Sequence, residues 1–415
     1  MMKCTQWLRQ MLLCGCLLVC AALGAAAGVL EDAQGGDVQA QYEMGEAYYL
    51  GNGVAQDYPA ALAWYLKAAE QGHDAAQFSV GAMYYEGLGI VQDYAQARVW
   101  FEKAAQHGHV DAQYFLGWLY YEGLGGAQDD AMARAWFEEA AAQNYADAQY
   151  MMGTMYHEGK GVDTDYVMAI TWLEKAAVQG HADAQFHLGV MHYEGLGVEP
   201  DCGMALQWYQ QAADQSHEMA ENNIGLLYRD GCGVVQDDEM ALAYFESAAS
   251  RDCAPAQYNL GMMYYEGTGG TQDDAAALAW LEKAAAQGLA EAQYNLGVMY
   301  RDGRGVAQDN RMAVQWYEKA AAQGLAYAQN NLGAMYLNGL GVDKDRQAAR
   351  AWFTQAAQQG NAQAQYNLNL LDQHQGGLLP REVAVVVGPW LWSVVVVAVM
   401  LVWFIRLRRK ARHGE

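Results

Sequence analysis

The chain has 415 residues, with 48 acidic against 24 basic side chains and a formal charge of −24. So acidic a surface repels phosphate backbones and anionic headgroups, which excludes nucleic acid as a partner. It leaves a basic protein patch, a cationic peptide, a divalent cation or plain solubility as the reason for the charge.

Lys3 and Arg9 open a positive stretch, Met11 to Leu23 is apolar, and Ala25-Ala26-Ala27 supplies small residues. That order is the pattern of a secretory signal peptide, assigned to residues 1–28. The apolar stretch is short for a membrane span. Residues 29–36 read as a short lead-in.

From 37 to 372 one pattern returns every 36 residues. An Ala-Gln pair stands at Ala40, Ala76, Ala112, Ala148, Ala184, Ala256, Ala292, Ala328 and Ala364, with Ala220-Glu221 as the variant. A fixed period of this length means an array of stacked supersecondary units. Each unit reads as two short helices. The first carries Ala76, Val80, Gly81 and Tyr84 at helical spacing in the second unit. A Gly-x-Gly, Gly87/Gly89 there and Gly339/Gly341 in the ninth, ends it at a position that favours a left-handed backbone. Four residues on stands an Asp, from Asp57 through Asp345, placed as an N-cap for a second helix rich in Ala and aromatics. Ala97, Trp100, Phe101, Ala104 and Ala105 form that helix's stripe.

A glycine also recurs inside the first helix, from Gly45 to Gly333, where it costs about 1 kcal/mol against alanine. Nine repetitions predict a close approach, with the aromatic pair of a second helix packed over the gap (Trp100/Phe101, Trp136/Phe137, Trp316/Tyr317).

The motif Ala-Gln-Tyr-x-Leu-Gly-x-x-Tyr-x-x-Gly-x-Gly-Val, then Asp, then Ala-x-x-Trp-Tyr-x-x-Ala-Ala-x-x-Gly resembles the Sel-1-like repeat family, relatives of the tetratricopeptide repeats. The resemblance covers nine full units and a half unit. It implies an all-α, right-handed α-solenoid superhelix of helix-turn-helix repeats, whose first helices line a concave surface that binds other proteins. Asn144, Ser216 and Asp252 depart from the pattern where a Gly closes the unit, and Asn369 departs at the helix glycine. Asp372, Gln373, His374 and Gln375 give the last helix a polar end, as a terminal cap needs.

Within the array 16 basic residues face 44 acidic ones. Of the cysteines outside the leader, Cys202, Cys232 and Cys253 do not follow the repeat period. Cys202 opens a second helix and Cys232 lies in the next turn, so a bridge between them and free buried thiols both stay open.

Residues 373–382 form a linker. Val383 to Ile405 holds no charge, and as a helix it would run ~34 Å, enough to cross a ~30 Å hydrocarbon core. Trp390, Trp392 and Trp403 stand near its ends, and Arg406, Arg408, Arg409, Lys410 and Arg412 follow. That order predicts a single transmembrane helix, with the basic tail 406–415 cytoplasmic and the array periplasmic or otherwise extracytoplasmic. None of the 13 Asn residues begins an Asn-x-Ser/Thr sequence, which favours a bacterial periplasm.

Chemistry is not signalled. There is no Gly-x-Ser-x-Gly or Ser-x-x-Lys, and Gly159-Lys160 lacks the P-loop spacing. His157, His187 and His192 have no companions at ligand spacing. The expectation is therefore no enzyme, no cofactor and no metal. The third residue after the landmark alanine is Asn223, Asn259, Asn295, Asn331 and Asn367 in the last five first helices. If it faces the groove, its amides could clamp an extended peptide; the other reading is a bond to the neighbouring repeat. Phe115 and Trp118, on one earlier helix, complete the candidate partner-binding set. The reading is a membrane-anchored scaffold or adaptor that binds a partner protein or peptide, with a surface or secreted factor that binds a host protein as the alternative.

Overall fold

The computed structural model describes residues 25–373, which form helices and turns throughout. The expected transmembrane segment 383–405, the tail and most of the expected leader lie outside the described residues. Among the described residues no helix is long and apolar enough to cross a membrane. The chain divides into two compact units, one ending at His217 and one beginning at Glu218.

Among the described residues unit 1 holds eleven helices: α1 (Ala25–Gly35), α2 (Val38–Leu50), α3 (Tyr58–Glu70), α4 (Asp74–Glu86), α5 (Tyr94–Gln106), α6 (Val110–Glu122), α7 (Asp130–Ala142), α8 (Ala146–Glu158), α9 (Tyr166–Val178), α10 (Ala182–Glu194) and α11 (Cys202–Ala213). Unit 2 holds α12 (Glu218–Asp230), α13 (Asp238–Ser250), α14 (Ala254–Glu266), α15 (Asp274–Ala286), α16 (Ala290–Asp302), α17 (Asn310–Ala322), α18 (Ala326–Asn338), α19 (Arg346–Gln358) and α20 (Ala362–Gln373). Even-numbered helices from α2 onward are the first helices of the repeats, odd-numbered ones from α3 the second. The result is an all-α solenoid of helical repeats.

The expected caps form. Each Asp from Asp57 to Asp345 caps its second helix, as Asp93 does by accepting from the amides of Ala95 and Gln96. Its own amide closes the preceding turn, with Asp93 N–H donating to the Tyr84 carbonyl at 3.0 Å. The helix glycine is explained by its neighbour. A Cβ on Gly81 would lie 2.6 Å from the Phe101 ring, and one on Gly45 would lie 2.4 Å from the Tyr65 ring. The second residue of the aromatic pair fills the place the missing Cβ leaves.

The second glycine of the Gly-x-Gly serves stacking at Gly89, Gly125, Gly161, Gly305 and Gly341. A Cβ on Gly125 would stand 2.4 Å from the Tyr94 carbonyl oxygen, at the start of the preceding repeat's second helix. At Gly53, in the first repeat, nothing lies within 4 Å. Left-handed backbone is retained even where the closing glycine is replaced, at Asn144, Ser216 and Asp252 (φ 62–64°).

A glutamine pair ties the ends of most hairpins, while in the second repeat His107 replaces the second glutamine and meets Asp74 instead. Gln143 donates to Gln113 at 2.7 Å, and the same contact recurs between Gln179 and Gln149 and between Gln323 and Gln293. In the one repeat with Glu221, the partner is Arg251, and the two form an ion pair. The first glutamine also donates back to the preceding second helix, as Gln77 does to the Ala69 carbonyl at 3.2 Å.

The expected lead-in is a helix. Ala33 of α1 is buried with Ala40 and Met44, and Val29 and Leu30 pack beside them. Gln41 donates to the Ala33 carbonyl at 3.2 Å, the same bond its counterparts make to a second helix. α1 therefore stands in for a second helix and covers the first repeat. At the other end α20 buries Ala364, Asn367 and Leu371 and exposes Asp372 and Gln373.

Candidate protein-binding surface

A binding surface on this fold has to be built from first-helix side chains left uncovered by neighbouring repeats. The asparagine ladder is largely covered. In unit 2, Asn223, Asn259, Asn331 and Asn367 are buried and Asn295 is half-buried. Their amides are engaged within the array: Asn259 donates to Asn222 at 2.9 Å, Asn367 to Asn330 at 3.0 Å and Asn295 to the Tyr258 hydroxyl at 3.3 Å. Asn223 and Asn331 accept from Asn222 and Asn330 beside them. The expected open groove of amides is thus corrected: this register position faces the adjoining repeat, and a peptide would have to displace these bonds.

Phe115 holds the same register in unit 1. It is fully buried, stacked 5.6 Å from Phe101 and set against Phe78 and Tyr85. It belongs to the core and lines no open pocket, because the second-helix residue that sits on the glycine also touches this position. The sequence carried a signal for that contact. Where the second helix brings a tyrosine, the facing residue is polar: Tyr65 meets Ser79 and Tyr317 meets Asn331.

Trp118 is different. It is half-buried, and its indole lies 5.9 Å from the Tyr121 ring at 24°. The same position in the flanking repeats holds Ala82 and Thr154, both small and buried. One turn along each helix stands an acid, Glu86, Glu122 or Glu158, each half-buried. Glu158 is held by Lys160 at 3.0 Å and accepts from the Tyr121 hydroxyl at 3.2 Å. Burial pushes the carboxyls of Glu46 and Glu194, on the same face of α2 and α10, up from the usual range. In unit 2 two of the corresponding acids are ion-paired, Asp230 with Arg229 and Asp302 with Arg301, both at 2.7 Å, while Glu266 accepts from the Thr268 hydroxyl at 3.5 Å.

His157, His187 and His192 do not assemble a site. His157 packs on Tyr166 and His187 on Tyr150. Among the described residues no group of three or more His, Cys, Asp or Glu side chains could hold a metal ion. Cys253 is free and buried, and burial pushes its thiol up to about 12.

The Sel1 repeat profile matches nine consecutive segments, from 38–73 through 326–361, without a gap. The chain belongs to the Sel1 repeat family. Solved Sel1 proteins agree. The protective antigen c5321 of uropathogenic Escherichia coli, which displays this repeat fold, is 36% identical over 84% of this chain and 83% of its own, with a TM-score of 0.63. A Sel1 repeat protein from Oxalobacter formigenes is 34% identical over 77% of this chain and 95% of its own, with a TM-score of 0.62. A search of curated protein sequences returned no match. Membership in a scaffold-type repeat family is consistent with binding protein partners. The histidines that stand just before first helices of the Sel1 repeats escaped the sequence reading, although His73, His109, His181 and His217 recur in register.

Proposed function

We propose that this Sel1 protein is a non-catalytic interaction scaffold that takes a basic segment of a partner protein on the first-helix face of unit 1. Trp118 carries the reading: it is an incompletely buried indole between two small neighbours, with Glu122 one turn along its own helix and Glu86 and Glu158 at the same register on the flanking helices. An indole face beside carboxylates suits a lysine or arginine side chain, through cation–π contact and charge. Repeat arrays bind through extended surfaces of this kind. The sequence supports a membrane anchor at 383–405 with the array in the periplasm, and both belong to this proposal.

The test is binding of a lysine- and arginine-rich peptide, and of an acidic one of equal length, to the full chain by calorimetry. Trp118→Ala and Glu122→Gln should each weaken the basic peptide by about tenfold or more, with tightness falling as salt rises. Equal binding of both peptides, or no loss in Trp118→Ala, refutes the assignment.

A second reading has one observation behind it: the similar c5321 is a protective antigen. We infer that a surface-exposed factor engaging a host protein is the alternative. Fractionation separates the two, since the scaffold should stay with the inner membrane and the factor should reach the cell exterior.

A further inference from the structure

His73 and His109, each just before a first helix of unit 1, are helix caps that work only when neutral. His73 accepts the Ala76 amide at Nδ1 (3.2 Å), and its Nε2 faces the Gln39 side-chain oxygen of α2 at 3.1 Å. Its ring stacks 4.6 Å from Tyr42 of the same helix. His109 likewise accepts the Ala112 amide at Nδ1 and stacks on Phe78 of α4 at 4.9 Å. Both imidazoles thus join a helix N-terminus to the repeat before it, with Nδ1 bare and the proton on Nε2.

A second proton has to go on Nδ1, where it meets the backbone N–H that the lone pair now accepts. It also places a cation at a helix N-terminus, against the macrodipole. The charged groups near His73 are few: Asp74 on its own helix, with neutral Gln39 and Tyr42 facing it from α2. Near His109 stand Asp111 of α6, 3.9 Å from Nδ1, and Asp74 of α4, which is itself engaged by His107 of the α5 C-cap at 2.6 Å.

The chain contains its own comparisons. At the same register Asp37 and Asn361 cap with side-chain oxygens, accepting from Ala40 at 2.8 Å and Ala364 at 2.9 Å. Cys253, Leu289 and Leu325 of unit 2 make no side-chain cap. His181 also caps α10, but its Nε2 faces the Asp147 carboxylate at 3.0 Å where His73 faces a neutral amide.

We propose that His73 and His109 are acid-sensitive latches: below neutral pH their protonation loosens α4 and α6 from the helices before them, while unit 2 stays closed. Burial, the largest influence, already holds both imidazoles below the usual histidine range. The stability they contribute is therefore complete above the unfolded histidine value of about 6.5 and is lost as the pH falls below it.

The test is hydrogen–deuterium exchange on the full chain at about pH 7.5 and about pH 5.5, corrected for the intrinsic rate, a range that spans the histidine titration. Exchange within 77–85 and 113–121 should rise roughly tenfold or more on acidification, while 257–265 and 293–301 stay within experimental error. In His73→Asn/His109→Asn the rise should vanish, because asparagine caps this register at Asn361. No rise in the parent, an equal rise in unit 2, or a rise that persists in the asparagine variant overturns the proposal. If the double variant does not fold, His109→Asn alone decides the matter in the same way, with the intact His73 junction as the reference.

Discussion

Placing a methyl group on a first-helix glycine tests whether these glycines are dictated by close packing. In Gly297→Ala the new Cβ of α16 would lie 2.5 Å from Cε1 and 2.6 Å from Cδ1 of Tyr317. Tyr317 is fully buried on α17 and its ring cannot retreat without shifting neighbouring repeat contacts. Alanine gains about 1 kcal/mol of helix propensity over glycine, whereas overpacking of this kind costs about 1–3 kcal/mol. Contacts this short place the cost in the upper part of that range, about 2–3 kcal/mol, which leaves a net loss of roughly 1–2 kcal/mol. Gly261→Ala in the preceding repeat is the control. Its Cβ would meet Leu281 Cγ at 2.9 Å and Cδ2 at 3.2 Å, atoms of a branched side chain that can change rotamer, so gain and cost nearly cancel. Changing Tyr317→Leu in the Gly297→Ala background should recover much of the loss, giving a coupling energy of about 1 kcal/mol. Urea unfolding followed by local hydrogen exchange suits an array whose repeats can open separately. A Gly297→Ala protein as stable as the parent, or a double variant showing no coupling, refutes the close-packing account.

Ser216→Gly should stabilise unit 1 by roughly 0.5–1 kcal/mol, since serine holds a left-handed backbone there that glycine adopts freely; thermal denaturation checks it. Asn259→Ala and Asn331→Ala should each lower stability by about 1–2 kcal/mol while leaving peptide affinity unchanged, and weaker binding by a well-folded variant would restore the clamp. Arg251→Gln strands the nearly buried Glu221 and should cost roughly 1–3 kcal/mol, with Glu221→Gln added to it recovering the glutamine pair of the other repeats. Cys253, whose thiol burial pushes up to about 12, should resist iodoacetamide at about pH 8 in the folded chain and react once urea opens the repeat.

Most of the repeat was legible because its signals are local. An aspartate before an alanine-rich run needs only its own helix to become an N-cap, and a glycine after a helix needs only its own backbone to become a C-cap. Spacing also revealed that the helix glycine marks a close approach. It did not reveal which atom arrives, and the answer is the second residue of the aromatic pair, as at Gly81 and Phe101. The role of the second turn glycine was hidden for a different reason. Its contact is with the preceding repeat, and only the open surroundings of Gly53 separate stacking from backbone freedom. Helix α1 was missed because a single helix of small residues beside an expected leader has no period to betray it.

The candidate site was legible only in part, because a periodic sequence makes buried and exposed ladders look alike. The asparagine ladder is as regular as a binding motif, yet its regularity comes from the repeat-to-repeat contact, where Asn259 meets Asn222 and Asn367 meets Asn330. The glutamine pairs are regular because they tie the two helices of one repeat, and Glu221 with Arg251 is a matched change at those positions. Trp118 breaks its own register instead, with alanine before it and threonine after, and its indole stays half-buried beside Tyr121. In a stacked repeat, a matched departure preserves the stack, whereas an unmatched departure at a partly open position has no structural reason to be there. That distinction moves the binding proposal from the ladder to the single indole.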